Sequence, residues 1–385
     1  MTGLNCVNSK AVGGEEKIKQ IDWSVAAVLP SVNGEKQPGL AGPVAGIIND
    51  YLLVGGGANF PDGLPWYGNK KQYHDEIYLF EKKEGKIVNA SVSKQKLLNP
   101  VAYCANVTTP KGLVYIGGEN EQGLSDKVIL VEYNPIANEL VFSDLPALPF
   151  SLTNLSATFY NHTIYVAGGN SKNGPSDKFF CLNLAMPGAK WESLPDIPVK
   201  ISFAVMVVQS NGDHDCIYLV GGRRKNGNGI SDIFSTVYQF DMKNNHWSQK
   251  KSMPFAVSAG TGIADDSDQI LILGGDKGET FGKEEKLNAA IKSETNEQKI
   301  KQLTKERIAL LEAHPGFAGD VLLYNTISDE WEKLNSLPAG NPVTTTAIKW
   351  GADIIIPSGE IKAGVRTPQI LIGKIIRYAI NEIER

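Results

Sequence analysis

Five times along the chain a run of apolar residues ends on a pair of glycines: YLLVGGG at 51–57, LVYIGGE at 113–119, IYVAGGN at 164–170, IYLVGGR at 217–223 and ILILGGD at 270–276. Each run is short and reads as a buried strand that the glycines bring to a turn. Counted from the first glycine, the pairs start at 55, 117, 168, 221 and 274, at intervals of 62, 51, 53 and 53. A degenerate sixth copy, IIIPSG at 354–359, carries Ser358-Gly359 in place of the pair. Within each period a second strand follows, often aromatic, and then a strand with a tryptophan, as in STVYQFDMKNNHWSQ (235–249) and VLLYNTISDEWEKL (321–334). A Leu-Pro or Met-Pro turn closes the unit: ALPFS, LPDIP, SMPFA, SLPAG.

A unit of this content near 50 residues is the kelch pattern, in which each repeat is one four-stranded blade. Six copies predict an all-β chain: a six-bladed kelch-type β-propeller occupying residues 1–385 as one domain. The last copy lacks its tryptophan strand, and the N-terminal segment IDWSVAAVLPSV, with Trp23, supplies one. Pairing of that segment with residues near 369–380 would close the ring and remove its open edges. One interval is too long. From Gly274 to Ser358 there are 84 positions, about 30 more than the period requires. The excess, 283–313, has helical spacing, with Leu287 and Ile291 on one stripe and Ile300, Leu303, Leu310 and Leu311 on another. Thr295 to Gln298 resembles a capping box, and His314-Pro315-Gly316 stops the segment. A helical insertion in blade five is expected, on the face of the glycine-pair loops, as a lid or a dimer contact.

Composition agrees and excludes several classes. The 39 glycines and 20 prolines suit many short strands, and 42% hydrophobic residues supply a sizeable core. A net charge of −4 with no Lys/Arg block argues against a nucleic-acid partner. No apolar run is long enough to span a membrane as a helix. The opening MTGLNCVNSK has no signal-peptide pattern, so the chain as written is expected in the cytoplasm, and in the periplasm where a leader precedes it. Cys6, Cys104, Cys181 and Cys216 form no CxxC pair and read as small buried hydrophobes. The histidines, at 74, 162, 214, 246 and 314, show no HxH or HxxxH spacing. No metal and no redox cofactor is expected.

The residues just after each glycine pair enter loops that converge on one face of a propeller. They are Gly57-Ala58-Asn59, Glu119-Asn120, Asn170-Ser171, Arg223-Arg224, Asp276-Lys277 and Glu360-Ile361-Lys362. The ring is polar and mixed in sign, with no apolar stripe to grip a protein partner. Asn59, Glu119, Asn170, Arg223 and Lys362 are the candidate ligand contacts, although any one of them alone also reads as an ordinary solvated turn residue. Glu360 and Arg366 stand apart. They bracket seven residues where a two-residue turn would suffice, and Gly364 between them lets the chain fold back on itself.

The stretch Glu360-Ile-Lys-Ala-Gly-Val-Arg366 resembles the Glu-x-Lys-Pro-Gly-Leu-Arg loop of the bacterial sialic acid mutarotases, the N-acetylneuraminate epimerases, which are six-bladed kelch propellers. AGPVAGIINDYLLVGGGANF (41–60) is similar to a Gly-rich blade of that family, and the insertion after ILGGDKGETFG has its counterpart there. Ala363 and Val365 depart from the loop's proline and leucine, and the order of segments resembles a circularly permuted branch. The resemblance implies a mutarotase acting on free N-acetylneuraminate or a related sugar acid, without cofactor or metal. In it Glu360 is the proton acceptor and Arg366 the partner of the sugar's carboxylate. A homodimer is the protein partner this reading admits. The competing reading is a non-catalytic propeller binding a glycan or protein through loop aromatics such as Trp66 and Tyr67. A sialidase would show Asp boxes, and none is present.

Overall fold

The computed structural model describes residues 16–32, 34–90 and 95–379; Cys6 and the opening decapeptide lie outside them. The strands form six antiparallel sheets of four or five strands, arranged as the blades of a propeller. Blade four shows the plan. Val205–Ser210, Asp215–Val220, Val237–Asp241 and His246–Lys250 pair in chain order from the axis outward. In the sixth sheet the order is different: the N-terminal Glu16–Val28 pairs antiparallel with Gln369–Ala379, with Trp23 opposite Gly373. The chain's two ends therefore share one blade.

The core lies between blades. Six apolar clusters fill the six seams; that between blades five and six joins Leu271, Leu273 and Val321 to Ile354, Ile356 and Leu371, and to Ile18 and Ile21 of the closing strand. The repeated tryptophans and the Pro turns meet at these seams. Trp191 Nε1 donates to the Pro146 carbonyl at 2.7 Å, Trp247 Nε1 to that of Pro195 at 3.0 Å, and Trp331 Nε1 to that of Lys251 at 2.9 Å, each in the preceding blade. Each indole thus packs half-buried against its seam while its one donor is satisfied.

Around the axis, six residues form a closed circle of backbone hydrogen bonds. The N–H of Tyr103 donates to Gly42, Asn154 to Tyr103, Phe203 to Asn154, Ala259 to Phe203, Thr344 to Ala259 and Gly42 to Thr344, at 2.7–3.1 Å. All six have left-handed backbone, with φ between 51° and 60°. In four blades this residue lies fourteen positions ahead of a left-handed pair: 42 and 56, 103 and 117, 154 and 168, 344 and 358.

Blade one corrects the reading of its glycines. Gly55 sits inside the ladder, paired with Val44 and Ile77, and the left-handed pair is Gly56-Gly57 at φ 60° and 78°. In blade six Ser358 takes the first place at φ 57°. Its Oγ accepts from Leu40 N at 2.8 Å and donates to the Thr367 carbonyl at 2.7 Å, tying blade six to blade one.

The insertion is a helical hairpin between the second and third strands of blade five: α1, Glu279–Ser293, and α2, Glu297–Glu312. It begins four residues earlier than the apolar spacing indicated. The cap of α2 is Asn296, not Thr295; its side chain accepts from the N–H groups of Gln298 and Lys299 at 3.0 and 3.2 Å.

Candidate functional site

After each glycine pair the next residue turns back to the axis. Glu119, Asn170, Arg223, Asp276 and Glu360 exchange two backbone hydrogen bonds each with the residue preceding a member of the axial circle, namely Ala102, Thr153, Ser202, Ser258 and Val343. Blade one uses Ala58, paired with Ala41. The post-glycine positions thus form a rim around the circle. With four rim residues (Glu119, Arg223, Asp276 and Glu360) as walls, a cavity of about 300 Å³ opens above it, the lower end of ordinary ligand pockets. Its floor is the circle's side chains, Tyr103, Asn154, Phe203, Ala259 and Thr344. Its roof is the insertion, through Thr280, Phe281 and Glu284 of α1 and Leu311 of α2, with His314 and Phe317 beside them. Below the circle a narrower axial channel of about 140 Å³ continues, lined by Asn106, Ser156, Thr261 and Thr346.

Glu360 and Arg366 are cross-strand partners in a two-stranded ribbon, 360–362 with 365–366, which carries a bulge at Ile361. Gly364 makes its turn at φ 70°, with its Cα face against Leu64 and Trp66. Glu360 Oε1 accepts from Gly364 N at 3.0 Å and from Arg366 Nη1 at 3.2 Å. Its other oxygen, Oε2, accepts no hydrogen bond from a described residue, and Glu360 lines the cavity. Arg366 is 8% exposed, with its guanidinium 4.7 Å from the centre of the Phe60 ring. It supports the carboxylate from behind.

Two further cations reach the cavity. Lys71, from the long loop of blade one, pairs with Glu119 Oε1 at 3.0 Å, and Tyr73 Oη donates to the same oxygen at 2.7 Å. Burial alone would push the Lys71 ammonium down, but Tyr103 and Glu119 outweigh it and hold it above its usual range. Burial and the Glu119 bond push the Tyr73 hydroxyl up to about 12. The Arg223 guanidinium carbon lies 4.0 Å from the centre of the Phe203 ring and 4.3 Å from that of Phe281; each such contact is worth about 0.5–2 kcal/mol. Burial pushes its pKa down, opposed by Asp276, Glu285 and Glu360. Burial likewise raises the Glu284 carboxyl, with Glu285 and Glu360 adding to the shift and Asn288 and Arg307 opposing it. Burial lowers His314.

The remaining residues singled out in the sequence lie elsewhere. Asn59 is 1% exposed and one position past the rim; its amide is consumed by the Gly39 carbonyl at 2.9 Å and His74 Nε2 at 2.8 Å. Asn170 holds its rim place through backbone bonds, outside the cavity lining. Lys362 is exposed on the ribbon and is not among the residues lining the cavity. Of the loop aromatics, Trp66 packs toward Gly364, and Tyr67 hydrogen-bonds Glu312 at the end of α2. Sequence reasoning missed the floor, Tyr103 to Thr344. For Tyr103, Asn154 and Thr344 the signal is the fourteen-residue offset from the left-handed pair, not any shared residue type; Phe203 and Ala259 stand at offsets of 18 and 15. It also missed Lys71, Phe281 and Glu284, for which no periodic signal exists. Cys104, Cys181 and Cys216 are free thiols whose pKa values burial raises, which suits packing rather than reactivity.

The sequence matches the family model described as N-acetylneuraminate epimerase over residues 2–137 and 145–381. Similar curated proteins include the N-acetylneuraminate epimerase of Haemophilus influenzae (strain PittEE), 24% identical over 241 residues, covering 61% of this chain and 60% of that protein. That of Vibrio vulnificus (strain YJ016) is 25% identical over 230 residues, 58% of each chain. That of Brucella melitensis biotype 1 is 34% identical over 119 residues, 28% of this chain and 29% of the relative. The matched region thus spans about 60% of the length of the Haemophilus and Vibrio proteins.

Proposed function

The chain belongs to the N-acetylneuraminate epimerase family, and from that premise we propose that it is a mutarotase interconverting the α and β anomers of free N-acetylneuraminate or a closely related sugar acid. The observation that carries the reading is the state of Glu360. One carboxylate oxygen is fixed by Gly364 and Arg366, while the other accepts no bond from a described residue and lies beside a cavity of about 300 Å³. A carboxylate held in one orientation with a free oxygen is what a general base needs.

Ring opening of a 2-keto sugar removes the proton of the anomeric hydroxyl as the bond from anomeric carbon to ring oxygen breaks. The ring oxygen gains a proton, and the open-chain ketone forms. Rotation about the adjoining carbon–carbon bond and the reverse sequence deliver the other anomer. Glu360 Oε2 takes the first proton. The same carboxyl hands that proton to the ring oxygen, and the two transfers run in reverse on closure, so no net charge or electron is exchanged. Arg366 acts on Glu360: its Nη1 bond holds Oε1, which turns Oε2 to the substrate. The insertion covers the pocket and limits the water around the reacting atoms.

The test is proton NMR of freshly released α-N-acetylneuraminate with catalytic amounts of protein. Glu360→Gln keeps the shape and removes the base, so catalysed exchange should fall by about 10²–10⁴-fold. A Glu360→Gln protein that equilibrates the anomers at the parent rate overturns the assignment.

A further inference from the structure

We infer that Arg223, not Arg366, is the receptor for the substrate's carboxylate. This deepens the mutarotase reading and rests on it. Three cations stand in or behind the cavity, and two of them already have anionic partners. Arg366 is bonded to Glu360 and Lys71 to Glu119. Among the described residues, the Arg223 side chain makes neither an ion pair nor a hydrogen bond, although it lines the same cavity. A largely buried guanidinium whose donors bond no carboxylate is an expensive arrangement unless an anion completes it.

Its setting fixes how that anion must approach. The Phe203 and Phe281 rings both pack against the guanidinium, with centres 4.0 and 4.3 Å from its central carbon. Its N–H donors point outward along the edge of its plane and bond no described residue. A planar, two-oxygen anion meets such an edge in parallel hydrogen bonds, and a carboxylate has that shape. The acidic rim residue Asp276 forms no ion pair with Arg223; its Oδ1 accepts from Gly278 N at 2.7 Å. The two rings come from different parts of the chain. Phe203 belongs to the axial circle and Phe281 to the first turn of α1. The insertion therefore builds half of the receptor, a role more specific than covering the pocket. With the carboxylate on Arg223, the anomeric carbon that bears it is placed in the cavity that Glu360 lines.

The experiment compares N-acetylneuraminate with its methyl ester, which keeps the sugar and loses the anionic carboxylate. Binding is measured by titration calorimetry and anomer exchange by NMR, for the parent, Arg223→Lys, Arg223→Gln and Phe281→Leu. The parent should prefer the acid. Arg223→Lys keeps the charge without the fork, so KM for the acid should rise about 10- to 100-fold with kcat little changed. Both Arg223 variants should bind the ester about as the parent does. Phe281→Leu, which leaves the guanidinium in place, should lose part of the same preference and covers the case in which Arg223→Gln does not fold. Folded variants that retain the parent's acid-to-ester ratio overturn the assignment to Arg223 and leave the mutarotase reading intact. A parent that binds the acid through Arg223 without exchanging its anomers overturns the mutarotase reading alone. A parent that binds neither compound overturns both.

Discussion

Removal of the closing strand should abolish cooperative folding rather than merely trim the last blade. Ile18, Ile21 and Leu29 are 2%, 0% and 3% exposed, and burying each such side chain is worth about 1.5–3 kcal/mol. Together they contribute roughly 5–9 kcal/mol, against a net stability of about 5–15 kcal/mol for a folded protein. A chain beginning at residue 31 would lose this and expose the edge of Gln369–Ala379, whose partner Glu16–Val28 spans it from end to end. A graded version is Ile21→Ala, which opens a hole in the seam between blades five and six and should cost about 2–5 kcal/mol. Equilibrium urea unfolding followed by tryptophan fluorescence and far-ultraviolet circular dichroism reads both. A truncated chain that unfolds in one sharp transition at the parent midpoint refutes the reasoning, because it would show that the other five seams suffice.

Three further outcomes follow from other parts of the molecule. Asn335→Ala should cost about 1–3 kcal/mol in the same unfolding assay, because its side chain bonds both backbone groups of Ile21, at 2.8 and 2.7 Å; an unchanged midpoint would mean that water replaces it freely. Glu284→Gln should be more stable than the parent at neutral pH and equal to it at pH 4. The folded-state pKa of Glu284 is raised by burial, so its carboxyl loses stability as pH rises above the ordinary carboxyl value, and the amide does not; thermal melts at the two pH values check the sign, and a gain that persists at pH 4 counts against it. Thr344→Asn should raise the melting temperature by an amount equivalent to about 1 kcal/mol, since a β-branched residue at φ 51° is strained and Asn154 already fills the corresponding place in blade three. A lower melting temperature would show that the Thr344 hydroxyl contributes more than its backbone costs.

What the sequence discloses is what local geometry forces on residue type. The glycine pairs are legible because a Cβ on Gly118 would meet the Ala102 carbonyl at 2.7 Å and one on Gly222 the Ser202 carbonyl at 2.8 Å, so glycine recurs where the rim folds back. Glu360 and Arg366 are legible for a related reason: six residues and one glycine turn decide their meeting. Asn59 misleads because blade one has three consecutive glycines and the frame of the pair slips by one. The axial circle escapes notice because its positions are set by bonds between residues about fifty or more positions apart, which any side chain can accompany. Arg223 and Phe281 meet for the same kind of reason, across an inserted hairpin with no counterpart in the other five repeats.

The axial circle has an evolutionary consequence. Its six bonds run between main-chain atoms, while the side chains it presents are hydrogen, phenol, carboxamide, phenyl, methyl and hydroxyethyl, from Gly42 through Thr344. The fastening of the propeller and the chemistry of the pocket floor are thereby written in different parts of the same residues. Selection can rewrite the floor one blade at a time, within the side chains that left-handed backbone admits, and leave the fastening intact. A scaffold with that separation can acquire a new ligand by single substitutions without passing through an unfolded ancestor.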